Sequence, residues 1–212
     1  MSRRLRFDIP GRDLRVPKDQ LREKGWEAIF AGDLPSPFPM VVEIGFGRGE
    51  FLRDLAALSP QRAHLGVEVS FKRVLKMARR LARAEVRNVR LVEATGEEMV
   101  RELLPESCVE TFWINFSDPW PKKRHHRRRL IQPPFLRELA LRLQPGGRVE
   151  IATDHEGYAG WIERALAAEP WLENACAPEP FLREVPGRMR TAYQLEWLRE
   201  GRPLYFFTYR RR

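Results

Sequence analysis

A short apolar run, Met40–Ile44, leads directly into a turn with glycine at positions 45, 47 and 49. An apolar run of this length that ends in glycines is typical of a strand buried on both faces of a sheet. The next segment, Glu50–Leu58, has apolar residues at helical spacing. The pattern predicts a strand, a tight turn and a helix in succession, with close access for a ligand to the backbone at the glycines.

Strands and helices continue to alternate along the rest of the chain. Further strands are predicted at residues 64–69, 89–92, 109–116, 148–153 and 204–209, and helices at 70–83, 134–143 and 155–168, the first with Ser70 as its N-cap. This alternation predicts an α/β fold with a mostly parallel sheet and helices on both faces. In such sheets ligands bind at the carboxyl ends of the strands, where the glycine turn lies.

The chain is predicted to divide at residue 38. Residues 1–38 are basic and rich in proline, and they read as an irregular N-terminal arm with one short helix, Lys18–Phe30. Residues 39–212 are long enough for one large domain, and a hydrophobic content of 43% excludes a disordered chain. Two interpretations of the arm stay open: it clasps a partner, or it is a disordered tail.

The net charge and the cysteine content indicate which kinds of partner and site are expected for this chain. The formal net charge of +9 indicates a polyanionic partner, with nucleic acid as the first candidate, although a basic protein without such a partner stays an alternative. Cys108 and Cys176 lie far apart with no Cys or His at ligand spacing, so no disulfide framework and no metal are expected. No stretch has the length of a membrane span, and a cytoplasmic protein with no membrane partner is expected.

Two acidic residues accompany the glycine turn. Glu68 lies at the end of the second predicted strand, where a carboxylate can accept hydrogen bonds from both hydroxyls of a ribose. Glu43 lies inside the first predicted strand, where a charge is costly unless it meets a partner. That partner is either a nearby arginine or a cationic cofactor. S-adenosylmethionine carries a sulfonium and an ammonium, whereas the pyrophosphate of a dinucleotide would be repelled, so the arrangement favours S-adenosylmethionine.

The fourth predicted strand ends in Phe116-Ser117-Asp118-Pro119-Trp120-Pro121. Because the two prolines stop the sheet, Asp118 is expected at its carboxyl edge, where substrate and cofactor meet. Trp120 either stacks on a base or caps the core.

A basic run, residues 122–129, follows directly and contains six lysines and arginines in eight residues. Such runs are usually solvated, but its place beside the predicted catalytic edge favours contact with phosphates. The pair His125-His126 is expected to hydrogen-bond or stack, since no acidic or cysteine metal ligand is near. The candidate phosphate contacts are Lys123, Arg124, Arg127, Arg128 and Arg129.

The segment at residues 116–125 resembles the signature of the bacterial-type tRNA (guanine-N7-)-methyltransferases. The glycine motif at 42–49, Gly66-Val67-Glu68-Val69, and segments 153–158, 191–194 and 199–203 match that family in order and spacing. The resemblance runs from about residue 40 to the end. Its most specific part is Asp-Pro-Trp-x-Lys-Lys-Arg-His, whereas many methyltransferases share the glycine motif.

This resemblance implies a Rossmann-like class I S-adenosylmethionine-dependent methyltransferase with a seven-stranded sheet. It implies methyl transfer from S-adenosylmethionine to N7 of a guanine in tRNA, a variable-loop guanosine, giving 7-methylguanosine. By the same resemblance Asp118 is catalytic and also lies in the cofactor pocket. The other implied cofactor-binding residues are Glu43, Gly45, Gly47, Gly49, Glu68 and Thr95, and the implied substrate-binding residues are Lys122, Asp154, Thr191, Tyr193 and Gln194.

Two positions depart from the family pattern. After the third strand the family has an acid that reaches the adenine region, whereas this chain has Thr95, with Glu97 and Glu98 close by. In the tail the family has Thr-x-x-Glu, whereas this chain has Gln194, which can still hydrogen-bond a base edge, and Glu196 is a candidate substitute.

Two other classes of protein fit part of the pattern. An NAD-dependent oxidoreductase would explain the glycines and Glu68 but not Glu43 or the Asp-Pro-Trp block. An RNA-binding protein without activity would explain the charge but not the retained acids.

Overall fold

One seven-stranded sheet organises the computed structural model, which describes residues 8–212. Residues 1–7, with the first three arginines of the predicted arm, lie outside the described residues. The strand order is β3-β2-β1-β4-β5-β7-β6, in which β1 to β5 are parallel and β7 is antiparallel to β5 and β6. The strands are β1 Met40–Ile44, β2 Ala63–Glu68, β3 Val89–Glu93, β4 Val109–Asn115, β5 Leu143–Thr153, β6 Leu172–Asn174 and β7 Tyr205–Arg211.

Helices connect most of these strands. They are α1 Lys18–Phe30, α2 Glu50–Leu58, α3 Phe71–Arg83, α4 Gly96–Glu98, α5 Pro133–Arg142, α6 Glu156–Ala167 and α7 Ala192–Arg199, with a π-helical turn at Met99–Leu103 and a 3-10 helix at Lys123–Arg128. No helix within residues 8–212 is long and apolar enough to cross a bilayer.

The core lies on both faces of the sheet. Because successive side chains of a strand point to opposite faces, Leu91 and Val92 of β3 belong to different hydrophobic clusters. One cluster contains apolar side chains of α1, α5 and α6, and the other contains those of α2 and α3. Helices on both faces explain why β1 and β2 are buried at every position. The predicted α/β fold, a mostly parallel seven-stranded sheet with helices on both faces, is confirmed.

Local details differ from the sequence-based expectations. Ser70 does stand at the N-cap position of α3, but its side chain accepts no capping hydrogen bond, and its backbone N–H instead donates to Glu68. Strand β2 ends at Glu68, one residue earlier than expected, and leaves Val69 exposed. The short edge strand β6 and helix α7 were not anticipated, because neither has a clear apolar period.

The described part of the predicted arm packs against the sheet. The backbone of residues 14–16 pairs with the edge strand β3: Val16 N–H donates to Leu91 O and Leu91 N–H to Leu14 O, both at 2.9 Å. On α1, Trp26 and Phe30 are buried in the main cluster. The division at residue 38, and a role for the arm in clasping RNA, stay predictions.

The topology leaves a crevice at one point of the sheet. Chain order reverses between β1 and β4, which lie side by side at the centre. The connections that follow their carboxyl ends leave to opposite sides, and this is where ligands bind in open α/β sheets.

Candidate active site at the carboxyl ends of β1, β2 and β4

Two cavities adjoin at this crevice, with volumes of about 420 Å³ and 400 Å³. Both are lined by Gly45, Arg73 and the four residues from Asn115 to Asp118. The first cavity extends towards Glu43 and helix α7, and the second towards Val67, Thr95 and the basic run. The sequence-predicted glycine turn and Asp-Pro-Trp turn therefore meet at one site.

The glycine turn needs glycine for conformation and for space. Gly45, Gly47 and Gly49 all have positive φ, of 77°, 56° and 79°. A Cβ on Gly49 would also come within 2.4 Å of Met77 Sδ in α3. The turn thus brings bare backbone to the wall of the first cavity, close to the start of α2.

Glu43 is the most perturbed acid beside the turn. It is 2% exposed, and its Oε2 has no hydrogen-bond partner in the described part of the chain. Burial raises the pKa of Glu43 to about 8, against the opposing effects of a 3.4 Å hydrogen bond from Asn115 Nδ2 and of the charge of Arg188. No salt bridge to an arginine forms within the described residues, so a cavity-lining carboxyl is left with an open acceptor.

Glu68 supports the glycine turn from the next strand. Its Oε2 accepts hydrogen bonds from Gly47 N–H at 3.1 Å and Arg73 Nη1 at 3.3 Å, and its Oε1 accepts from Ser70 N–H at 3.0 Å. These bonds hold the turn and the start of α3 to the end of β2. Since each carboxylate oxygen can accept more than one hydrogen bond, Glu68 can still receive a ribose hydroxyl from the second cavity, which it lines.

Asp118 stands on a strained turn between the two cavities. Phe116 and Trp120, on either side of it, have positive φ of 55° and 42°, which is uncommon for non-glycine residues and occurs at functional sites. The carboxylate is exposed and lines both cavities. Trp120 lines the second cavity, where Arg128 stacks on its ring at 5.0 Å, and it belongs to no hydrophobic cluster of the described residues. The core-cap interpretation of Trp120 is therefore wrong.

The basic run divides into an exposed part and one buried residue. Lys122, Lys123, Arg124, Arg127 and Arg128 are exposed on or beside the 3-10 helix.

Arg129 differs from its neighbours and needs a correction. It is 3% exposed, its Nε donates to Pro119 O at 2.8 Å, and its guanidinium stacks on Tyr158 and Trp161. The structure contradicts the expected phosphate contact at this residue, because the end of the 3-10 helix turns its side chain inward. Arg129 instead braces the turn that carries Asp118.

Helix α7 forms the far wall of the first cavity. Thr191 caps this helix by accepting from Gln194 N–H at 2.9 Å, and Tyr193 stacks between Arg48 and Trp197. Gln194 is buried with its Oε1 unpaired among the described residues, but it lines neither cavity.

Two acidic residues near helix α7, Asp154 and Glu196, each pair with an arginine. Asp154 lines the first cavity and accepts from Arg202 Nη1 at 3.0 Å. Glu196 lies half exposed against Arg48, at 3.5 Å, and outside both cavity walls, so the structure does not support it as the substitute acid.

The lining of the second cavity shows which of the residues that follow β3 face the site. Thr95 caps α4 by accepting from Glu98 N–H at 3.0 Å and lines the cavity together with Glu97. Glu98 points elsewhere and pairs with Lys18 at 2.7 Å. Of the two neighbouring acids, Glu97 is therefore the one that lines the second cavity.

Four further residues belong to the site although the sequence pattern does not single them out. Asn115, Arg48, Trp197 and Arg202 all line the first cavity. A signal existed for three of them: Arg48 stands inside the glycine motif, Asn115 precedes the Asp-Pro-Trp turn, and Arg202 lies in a segment that matches the family. Lys122, by contrast, lines neither cavity.

The residues present suit S-adenosylmethionine. The first cavity offers the unpartnered Glu43 acceptor to an ammonium, and the second offers Glu68 to ribose hydroxyls. Asp118 lies between them, where the sulfonium end and a substrate would meet. Among the described residues there is no group of three or more His, Cys, Asp or Glu that could hold a metal ion.

Comparison with known proteins identifies relatives. The family described as "Putative methyltransferase" matches residues 37–207. A tRNA (guanine-N(7)-)-methyltransferase of Halorhodospira halophila is 44% identical over 174 residues, covering 82% of this chain and 75% of that protein. One of Cupriavidus pinatubonensis is 39% identical over 188 residues, covering 88% and 72%. The crystal structure of the 16S rRNA methyltransferase KamB matches with a TM-score of 0.61 at 18% identity, over 96% of this chain and 97% of that one, which shows the fold alone.

Proposed function

Since this chain belongs to the family of tRNA (guanine-N(7)-)-methyltransferases, we infer that it transfers a methyl group from S-adenosylmethionine to N7 of a guanine in tRNA, giving 7-methylguanosine. We propose a variable-loop guanosine as the target and a cytoplasmic location, where tRNA is found. The structural observation that carries the inference is the buried, unpartnered carboxyl of Glu43 beside the glycine turn, because it calls for a cationic cofactor.

The reaction requires little acid–base catalysis from the protein. S-adenosylmethionine supplies, when bound, a methyl group on a positively charged sulfur that becomes a neutral thioether when the methyl leaves. Guanine N7 has an in-plane lone pair and carries no proton, so the new N–C bond forms without a general base. The residues of the site act by aligning the reacting atoms and excluding water.

Asp118 is the residue we assign to the reacting base. As N7 gains the methyl group the purine becomes cationic and its N1–H more acidic. A carboxylate that accepts from N1–H or from the 2-amino group stabilises that charge as it develops. It also rejects adenine, which has no hydrogen on N1. Asp154 lines the same cavity and is the second candidate for this contact.

Residues around the cavity are assigned to the nucleotide and the RNA backbone. We propose that Thr191 and Tyr193, which line the first cavity, recognise the target nucleotide, together with Gln194 of the same helix and Lys122, which follows the Asp-Pro-Trp turn; these last two line neither cavity. The exposed side chains of Lys123, Arg124, Arg127 and Arg128 would contact phosphates, which fix the orientation of the RNA without reading its sequence.

Labelled methyl transfer tests the proposal. The purified protein is incubated with S-adenosylmethionine labelled in its methyl group and with an unmodified tRNA transcript, and the RNA is then digested to nucleosides. The label is expected in 7-methylguanosine only. A tRNA already methylated at that position serves as the control and should accept no label. Label in another nucleoside, or in protein alone, would contradict the proposed function.

A further inference from the structure

Arg188 is a half-buried cation beside the site, and the proposed reaction has no role for it. It lies in the connection between β6 and α7, and its guanidinium stacks on the rings of Trp113 of β4, at 4.9 Å, and Phe206 of β7, at 4.8 Å. Its Nε and Nη1 are shielded from solvent and have no hydrogen-bond partner among the described residues. Burial lowers the pKa of Arg188 to about 10, so it is still a cation at neutral pH. A shielded charge of this kind is costly unless it is paired and hydrogen-bonded, so its few contacts are informative.

The one hydrogen bond that Arg188 donates within the described chain leads to Glu43. Its Nη2 donates to Asn115 Oδ1 at 2.9 Å, and Asn115 Nδ2 donates to Glu43 Oε1 at 3.4 Å. A guanidinium is a donor only, so Arg188 compels the Asn115 amide to present its oxygen to the guanidinium and its NH2 group to Glu43. Without Arg188 the amide could turn over and set its oxygen against the carboxylate.

We propose that Arg188 is a positioning residue that, through Asn115, holds Glu43 by a hydrogen bond to Oε1 and eases its ionisation when the ammonium of S-adenosylmethionine arrives at the unpaired Oε2. This inference rests on the proposed function, since it assumes that Glu43 meets that ammonium. Arg188 lines neither cavity, so it acts on the cofactor only through other residues.

The charged groups that face Glu43 have opposing effects on its pKa. Burial favours its neutral form, and Glu50 of α2 and Glu68 of β2 add to this by repulsion. The Asn115 hydrogen bond and the positive charge of Arg188 oppose them. Arg188 also faces Glu150 of β5, whose Oε2 accepts from Thr208 Oγ1 at 2.7 Å. Loss of Arg188 removes the one cation in this set and should raise the pKa of Glu43 further.

The test compares two ligands by calorimetry at pH 7. S-adenosylmethionine carries the ammonium, whereas 5′-methylthioadenosine keeps the adenosine part and lacks the amino acid. We expect Arg188→Met to weaken S-adenosylmethionine binding about tenfold, because the pKa of Glu43 rises further and its ionisation costs more, and to leave 5′-methylthioadenosine binding within about twofold. Arg188→Lys, which keeps the charge, should restore most of the affinity. Arg183→Met is the matched control, because Arg183 stacks on Tyr205 at 4.0 Å in the same segment but does not contact Asn115.

A double-mutant cycle separates action through Glu43 from direct contact with the cofactor. In a Glu43→Gln background, Arg188→Met should weaken S-adenosylmethionine binding by less than about twofold. A tenfold loss in that background, an equal loss for both ligands, or no loss in the single variant would each overturn the role of Arg188. If Arg188→Met does not fold, Arg188→Gln replaces it in the same cycle. Failure of the wild-type protein to bind S-adenosylmethionine or to methylate tRNA would instead refute the proposed function.

Discussion

Replacement of Glu43 by glutamine should raise stability and lower cofactor affinity at the same time. Burial raises the pKa of Glu43 from its ordinary 4.5 to about 8, so at pH 7 the folded protein keeps a proton that the unfolded chain has released. From pH 4.5 upwards this difference destabilises the fold by about 1.4 kcal/mol per pH unit, or about 3 kcal/mol at pH 7. Glutamine is neutral in both states, so Glu43→Gln should raise the free energy of unfolding by up to about 3 kcal/mol at pH 7, and by little near pH 4.5.

The loss of affinity follows from the same carboxyl. A hydrogen bond between a charged donor and acceptor contributes about 1.5–3 kcal/mol, but at pH 7 the wild type must first spend about 1.4 kcal/mol to ionise Glu43. Glu43→Gln should therefore bind S-adenosylmethionine up to about fifteenfold more weakly at pH 7, with a gap about ten times larger once the pH exceeds 8. Deprotonation of the cofactor's own amino group affects both proteins and cancels in their ratio.

Denaturant unfolding at pH 5 and 7.5, and calorimetric titration from pH 6 to 9, measure the two effects. Glu50→Gln is the matched control, because Glu50 lines the same cavity but is partly exposed and paired with Arg80. It should show much less of both effects, because it removes only one repulsive charge that faces Glu43 and leaves the buried carboxyl in place. A Glu43→Gln variant that is less stable than wild type at pH 7.5, or an affinity ratio independent of pH, would refute the argument from burial.

Three further predictions concern the reaction, the RNA and the core. Asp118→Asn should lower kcat about 100- to 1,000-fold while the affinities for cofactor and tRNA change less than about threefold, and equal losses in rate and tRNA affinity would exclude the catalytic role. Arg124→Glu and Arg127→Glu should each weaken tRNA binding and reduce the slope of log K against log salt by about one, whereas Arg137→Glu on α5 should not, and unchanged slopes would argue against phosphate contacts. Burial of His64 lowers its pKa from 6.5 to about 4, because the folded protein disfavours the charged imidazole. The free energy of unfolding is therefore unaffected by this group above pH 6.5 and falls by about 3 kcal/mol as the pH decreases towards 4. Unfolding curves of His64→Gln should show a correspondingly smaller loss over this range, and parallel curves for the two proteins would contradict this.

The half of the site that follows β1 and β4 could be predicted because local sequence determines it. An apolar run that ends in glycines allows little except a buried strand and a tight turn, and the prolines after Asp118 end β4 wherever the sheet lies. Each of these turns places its functional residue at the carboxyl edge regardless of distant contacts. The family resemblance then joined the two turns into one site.

The other features of the site and the fold depend on contacts between segments that are distant in sequence. Composition makes Arg129 equal to its neighbours, and only the 3-10 turn shows that it faces inward. Arg188 reaches Asn115 across 73 positions of sequence, from a connection without regular structure. The edge strand β6 has three residues, too few for a period to show. Sequence patterns indicate the local propensity for helix, strand or turn, whereas these features depend on which strands become neighbours in the folded protein.

Guanine N7 is the proposed nucleophile, and one substitution in the RNA tests this assignment directly. A tRNA transcript made with 7-deazaguanosine in place of guanosine has C–H at the position of N7 and keeps the Watson–Crick edge that Asp118 is proposed to recognise. The protein should bind this transcript with nearly unchanged affinity and transfer no methyl group to it, while the guanosine transcript is methylated under the same conditions. Methyl transfer to the 7-deazaguanosine transcript at a comparable rate would contradict guanine N7 as the acceptor.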